Sequence, residues 1–219
     1  MKLARFVDET VPIPNLANVV APTKIVCVGR NYADHAKELG NEAPSEPILF
    51  LKPPTTVLAP GGTIVRPQQS QRVDFEGELA IVISRVARNV ARSNWRDYIL
   101  GFTCANDVTA RDLQKKDVQF TRGKSFDTFC PIGPEIETDL DPSSLHLVTR
   151  VNGTTKQDGN TRDMIFKCDF LLEFITSVMT LCPGDVILTG TPAGVGPLSA
   201  GDEVEVEIEG IGTLRNHVA

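Results

Sequence analysis

Polar and apolar residues alternate most cleanly over Glu203–Ile208, where Glu203, Glu205 and Glu207 take turns with Val204, Val206 and Ile208. A period of two places the acids on one face of a strand and the aliphatics on the other. The Glu209-Gly210 pair that follows predicts a turn and a returning hairpin strand. Short apolar runs at residues 24–28, 48–52, 79–84 and 100–105, bounded by Gly, Pro or Asn, predict further strands. Helical spacing is rarer. Over residues 168–180, Leu171, Phe174, Ile175 and Val178 recur at i, i+3, i+4 and i+7, and Pro183-Gly184 stops the pattern. Shorter helices are expected over about residues 109–116 and 32–39, the latter with Asn31 as N-cap and Gly40 just past its end. With the exposed loop at 40–47, that last helix forms a candidate mobile lid. The element mix predicts an α+β, mainly β fold.

Composition narrows the class. In 219 residues, 41% hydrophobic and 23% charged residues are the proportions of a folded globular chain, which excludes disordered, fibrous and membrane-spanning classes. A formal charge of -6 disfavours nucleic acid and anionic lipid as partners. The first residues carry neither an apolar signal core nor a transit-peptide pattern, so the cytoplasm is the expected location. Cys27, Cys104, Cys130, Cys168 and Cys182 have no C-x-x-C spacing and read as buried, reduced thiols. Residues 1–23 form an expected N-terminal extension, and residues 24–219 a single domain.

Candidate chemistry concentrates in residues 73–83. On a strand, Glu76 and Glu78 share a face, with Gly77 leaving the other side uncrowded. Two carboxylates leading into an apolar run repel one another, and a divalent cation would remove that cost; a solvated strand end is the plainer alternative. Asp107, where an apolar strand hands over to a helix, is either a third ligand or a helix cap. His35 and Glu38, at i and i+3, form a candidate general-base dyad or an ordinary exposed helix face. Lys124, beside a glycine, suits a carboxylate or an enolate. The glycine-rich turn at 190–196 is either a plain turn or a contact for a small anion through N–H groups and the Thr191 hydroxyl. Met164, Trp95 and the phenylalanines read as core and not as cofactor contacts.

Taken together, VGRNYADHAKE, PILFLKP, DFEGELAIVI, NDVTARDLQ, KSFDTFCPIGP and GDVILTGTPAGVG occur in an order that resembles the fumarylacetoacetate hydrolase family, in its short acylpyruvate hydrolase and 2-hydroxyhepta-2,4-diene-1,7-dioate isomerase branch. The resemblance spans residues 24 to 218. It implies a rolled, mixed, barrel-like β-sheet with a few short helices, and Mg²⁺ or Mn²⁺ held by Glu76, Glu78 and Asp107. It further implies His35 and Glu38 as the catalytic pair on a lid, Lys124 as the active-site lysine, and Arg30, Lys52, Arg111, Gln114 and Thr191 at or near the substrate pocket. A homodimer acting on a small 2-oxo or 2,4-dioxo acid is the implied assembly. The expected reaction is carbon-carbon hydrolysis of an acylpyruvate, with diene-dioate isomerisation and oxaloacetate decarboxylation or tautomerisation as alternatives. A non-catalytic, metal-dependent small-acid binding protein is the rival from another class.

Overall fold

The structure, a computed structural model, describes residues 22–219. The expected extension therefore lies outside the described residues except for Pro22 and Thr23. The elements run β1 (Ile25–Gly29), α1 (Ala33–Glu38), β2 (Ile48–Lys52), β3 (Val57–Leu58), β4 (Thr63–Ile64), β5 (Val73–Phe75), β6 (Gly77–Ile83), β7 (Ile99–Asn106), β8 (Thr109–Ala110), α2 (Arg111–Lys116), α3 (Thr121–Lys124), β9 (Cys130–Glu137), β10 (His146–Val151), β11 (Thr154–Asn160), α4 (Cys168–Val178), β12 (Val186–Leu188), β13 (Gly196–Pro197), β14 (Glu203–Ile208) and β15 (Gly212–Val218).

Among these residues the strands form a seven-stranded sheet in the order β2-β1-β12-β6-β7-β9-β3, a five-stranded sheet β11-β10-β14-β15-β4 and a three-stranded sheet β13-β5-β8. The large sheet is mixed: β1 and β12 are parallel, whereas β6 runs antiparallel to both of its neighbours. It curls into a half-barrel, so the mainly β, rolled architecture stands.

β6 is the central strand of this sheet. All seven of its residues are buried, as a central strand covered on both faces requires. Leu79, Ile81 and Ile83 face the core shared with α4 and the five-stranded sheet, against Leu171, Ile175, Leu147 and Val206. Ala80 and Val82 face a second, smaller core with Ile25, Cys27, Ile132 and Leu188. Burial of one such aliphatic side chain is worth about 1.5–3 kcal/mol. The alternating β14 behaves as its pattern demands: Val204, Val206 and Ile208 are buried while Arg215 and Arg150 pair with the outward acids. Gly210, at φ +79°, makes the turn.

Four expectations need correction. Residues 73–83 are two strands, not one, because β5 pairs with β8 in the small sheet and β6 with β7 in the large one, so the chain changes sheets at Glu76. Pairing of Thr109 and Ala110 with β5 delays the helix to Arg111, and no side chain caps it; Asp107 is not a cap. Tyr32, not Asn31, holds the N-cap position of α1, since the Asn31 amide is used on the Thr189 and Phe166 carbonyls at 2.7 and 3.0 Å. α4 ends at Val178 and its buried face is Leu171, Leu172, Ile175 and Thr176, with Val178 57% exposed. The displaced Phe174 instead packs at a tilt beside Phe170, which itself stacks on Phe166.

Met164 is core and Trp95 packs against it. All five cysteines are free, four of them buried. Burial pushes the thiols of Cys104, Cys130 and Cys168 up to about 12, which leaves them unreactive near neutrality. No helix among the described residues is long and apolar enough to cross a membrane.

Candidate metal centre and its cavity

Glu78 has the parity of Ala80 and Val82, and lies opposite Ala105 of β7, so it belongs to the inner face of the curl. Asp107 follows β7 with the parity of Ala105. Glu76 sits at the joint between sheets, where its N–H donates to Asn106 Oδ1 at 2.9 Å and its carbonyl accepts the Asp107 N–H at 2.8 Å. These constraints bring one oxygen from each of Glu76, Glu78 and Asp107 within 4.8 Å of the others, all three residues being buried.

The protein answers this concentration of charge with buried cations. Lys124 Nζ donates to Glu76 Oε2 at 2.7 Å and to Asp107 Oδ2 at 2.6 Å. Lys52 Nζ donates to Asp107 Oδ1 at 2.5 Å and to the Val108 carbonyl at 3.2 Å. Arg111 bridges Glu76 and the buried Asp74, and donates to Gln114 Oε1 at 2.7 Å. Burial alone would raise the Glu76 carboxyl, but Lys124 and Arg111 overturn that and hold it well below the usual carboxylate range. Burial opposes the charge of Lys124 as well, yet Asp107 and Glu76 raise its pKa, so the ammonium persists.

Glu78 is treated differently. Burial first, then the charges of Asp107 and Glu76, push its carboxyl well above the ordinary value. The Gly190 N–H, at 2.6 Å, is a neutral partner and offsets only part of this. Three convergent all-oxygen donors, one of them without a cation of its own, fit a hard divalent ion of the Mg²⁺ or Mn²⁺ type. Each ionised carboxylate has about four lone-pair sites, so the lysine and arginine contacts leave capacity for a metal.

A cavity of about 290 Å³ opens on this centre. Of the residues expected from sequence, it is lined by Arg30, His35, Glu76, Glu78, Asp107, Arg111, Gln114, Lys124 and Thr191. Lys52 and Glu38 lie off the lining: Lys52 is a counter-charge to Asp107, and Glu38 accepts the Gly194 N–H at 3.1 and 3.2 Å from its two oxygens. His35 is buried, not on an exposed helix face, and its Nδ1 is 3.5 Å from Glu38 Oε2. Burial is the largest influence on the imidazole and lowers its pKa despite the opposing pull of Glu76, so it is neutral near pH 7. Arg30 holds φ 58°, a left-handed conformation rare outside glycine, at the cavity wall.

Sequence reasoning missed Leu39, Asn41, Phe50, Lys115 and Phe120 on the lining, and Gln157 behind it. Phe50 and Phe120, expected in the core, line the cavity instead; they meet edge to face at 5.6 Å, and the Lys124 ammonium lies 5.0 Å from the Phe50 ring. The side of Gly77 away from the acids is crowded, contrary to expectation: an added Cβ would overlap Thr149 Oγ1 and stand 3.2 Å from Gln157 Oε1. Gly77→Ala should therefore cost about 1–3 kcal/mol and weaken metal binding, both measurable by thermal melts with and without Mn²⁺.

Residues 24–219 match the fumarylacetoacetate (FAA) hydrolase C-terminal family. The chain belongs to that family. Among solved structures it is similar to a 2-hydroxyhepta-2,4-diene-1,7-dioate isomerase from Mycobacterium marinum, at 51% identity and a TM-score of 0.85 over 91% of this chain and 75% of that one. It is also similar to fumarylpyruvate hydrolase from Pseudomonas aeruginosa, solved with Mn²⁺ and pyruvate, at 28% identity and a TM-score of 0.88 over 94% of each chain. Among curated sequences, a mitochondrial oxaloacetate tautomerase of Homo sapiens is 45% identical, covering 93% of this chain and 68% of the human protein. Isomerase, hydrolase and tautomerase relatives thus share this FAA hydrolase fold.

Proposed function

We propose that the protein is a Mg²⁺- or Mn²⁺-dependent enzyme that enolises a small 2-oxo acid, with keto-enol tautomerisation of an oxaloacetate-type diacid as its reaction. One observation carries the proposal: a buried, neutral imidazole lines the same cavity as three convergent carboxylates and a buried ammonium. When bound at Glu76, Glu78 and Asp107, a divalent cation supplies Lewis acidity toward the carboxylate and 2-oxo oxygens of such a substrate.

The chain's own groups supply the rest. The Glu38 carboxylate beside Nδ1 favours the tautomer with the proton there, leaving His35 Nε2 as the base that removes a proton from carbon 3. Lys124 has three N–H groups and gives two to Glu76 and Asp107, so one remains for the oxygen on which negative charge develops. Delivery of that proton from His35 to the enolate oxygen gives the enol, and the same transfers in reverse give the keto form.

Hydrolysis of a 2,4-dioxo acid is the second reading, supported by the likeness to fumarylpyruvate hydrolase and by the His35-Glu38 pair, which can activate water. Tautomerisation leads for two reasons. The higher-identity relatives named above are an isomerase and a tautomerase. Proton transfer also needs only the base, not a water held by a tight dyad.

His35→Ala should lower kcat by about 10²–10⁴ while Mn²⁺ still raises the melting temperature. In the unsubstituted protein kcat/KM should fall with acid as His35 protonates, with a midpoint below the ordinary histidine value of 6.5. A His35→Ala variant with full turnover on oxaloacetate would remove the base from the mechanism.

A further inference from the structure

A buried glutamine on a distant strand fixes which way Thr191 faces. Gln157 is the one buried residue of β11, an otherwise polar edge strand. Its Oε1 accepts the Gly77 N–H at 2.9 Å, and its Nε2 donates to Thr191 Oγ1 at 2.7 Å and to the Pro192 carbonyl at 2.8 Å. The amide has no alternative orientation. An N–H can only donate and a carbonyl only accept, so turning it over would set donor against donor at Gly77 and acceptor against acceptor at Pro192.

Thr191 Oγ1 in turn donates to the Gly77 carbonyl at 2.8 Å. A hydroxyl has one proton and two lone pairs. The proton is committed to Gly77 and one lone pair to Gln157, and Thr191 lines the cavity. What it offers a bound molecule is the remaining lone pair.

We propose that Gln157 is a positioning residue that makes Thr191 an obligate hydrogen-bond acceptor, so that the pocket recognises the hydroxyl of an enol or 2-hydroxy acid over the 2-oxo form. The inference rests on the 2-oxo acid reading of the cavity and adds the tautomer that the cavity favours. It reverses the sequence-based role of Thr191 as a donor to an anion. The cationic lining groups Arg111 and Lys124 can only donate, and suit carboxylate and oxo oxygens; the carboxylates of the candidate metal centre and the His35 imidazole already have roles in the mechanism, and Thr191 adds a further acceptor for a substrate O–H.

The test is calorimetric titration of the Mn²⁺-loaded full chain with lactate, which carries a 2-hydroxyl, and with pyruvate, which does not. Thr191→Val should weaken lactate about fivefold relative to pyruvate, the worth of one hydrogen bond. Thr191→Ser should leave the ratio unchanged. Gln157→Met, which frees the Thr191 hydroxyl to turn its proton into the cavity, should lower the lactate preference in the same direction. The Thr191 variants read the same lone pair without touching Gln157. An unchanged ratio in Thr191→Val overturns this inference and leaves the 2-oxo acid reading intact. Failure of both acids to bind the unsubstituted protein overturns both.

Discussion

Glu78→Gln should abolish metal-dependent activity while leaving the metal-free fold as stable as before, or more so. Glu78 is the acid with no ion-pair partner among the described residues, and its oxygen accepts the Gly190 N–H, which a glutamine oxygen can still accept. Removing the charge relieves repulsion from Asp107 and Glu76 and the cost of burial, the causes that push its carboxyl upward. The sign of the pH effect follows. An acid whose folded pKa is raised contributes stability below its unfolded pKa and loses it as pH rises through the folded one, so Glu78→Gln should flatten that part of the metal-free stability curve. Turnover should drop by roughly 10²–10³ or more, as when one preorganised electrostatic group is lost. Stabilisation by Mn²⁺, about 2.7 kcal/mol at a hundredfold excess over Kd, should vanish. Urea melts across pH, with and without Mn²⁺, measure both; an equal metal-induced shift in variant and parent would remove Glu78 from the ligand set.

Lys52→Met should have the opposite signature. The Lys52 ammonium is fully buried and 2.5 Å from Asp107, so its loss leaves a buried carboxylate with Lys124 as its only remaining ion-pair partner among the described residues. Breaking one side of a buried pair costs about 3–5 kcal/mol. Because a divalent cation brings new positive charge to Asp107, Mn²⁺ should recover part of that loss, and the variant should gain more from metal than the parent does. Denaturant melts at matched metal concentrations decide this. A loss below about 1 kcal/mol, outside the range for a buried pair, or one indifferent to metal, contradicts the role of Lys52 as a counter-charge.

What the sequence made legible was local. Alternation over β14 and the apolar run of β6 announce their strands because a period of two is imposed by the backbone itself. Glu76 and Glu78 were visible as a pair for the same reason, although the break between β5 and β6 was not: it depends on β8, more than thirty residues away, pairing with one half of the segment. Gln157 was illegible because its partners, Gly77 and Thr191, lie 80 and 34 residues from it, and nothing in the surrounding polar strand marks one glutamine as buried. Lys52 illustrates an intermediate case. Its place near the site came from family resemblance, but its partner Asp107 could be assigned only once β2 and β7 were set in one sheet. The rotated face of α4 shows the limit of periodicity alone, since Leu172 and Thr176 hold core positions that the spacing assigns to Phe174 and Val178, while Phe174 packs beside Phe170.

The most direct test of the central claim follows the ultraviolet absorbance of the oxaloacetate enol with purified protein and Mn²⁺, against protein-free Mn²⁺, against EDTA and against His35→Ala, with pyruvate assayed in the same samples. Metal-dependent enolisation predicts that the protein speeds loss of the enol signal beyond free Mn²⁺, that EDTA or His35→Ala removes the acceleration, and that no matching pyruvate appears. Relaxation no faster than with Mn²⁺ alone, or equally fast in EDTA, would contradict it.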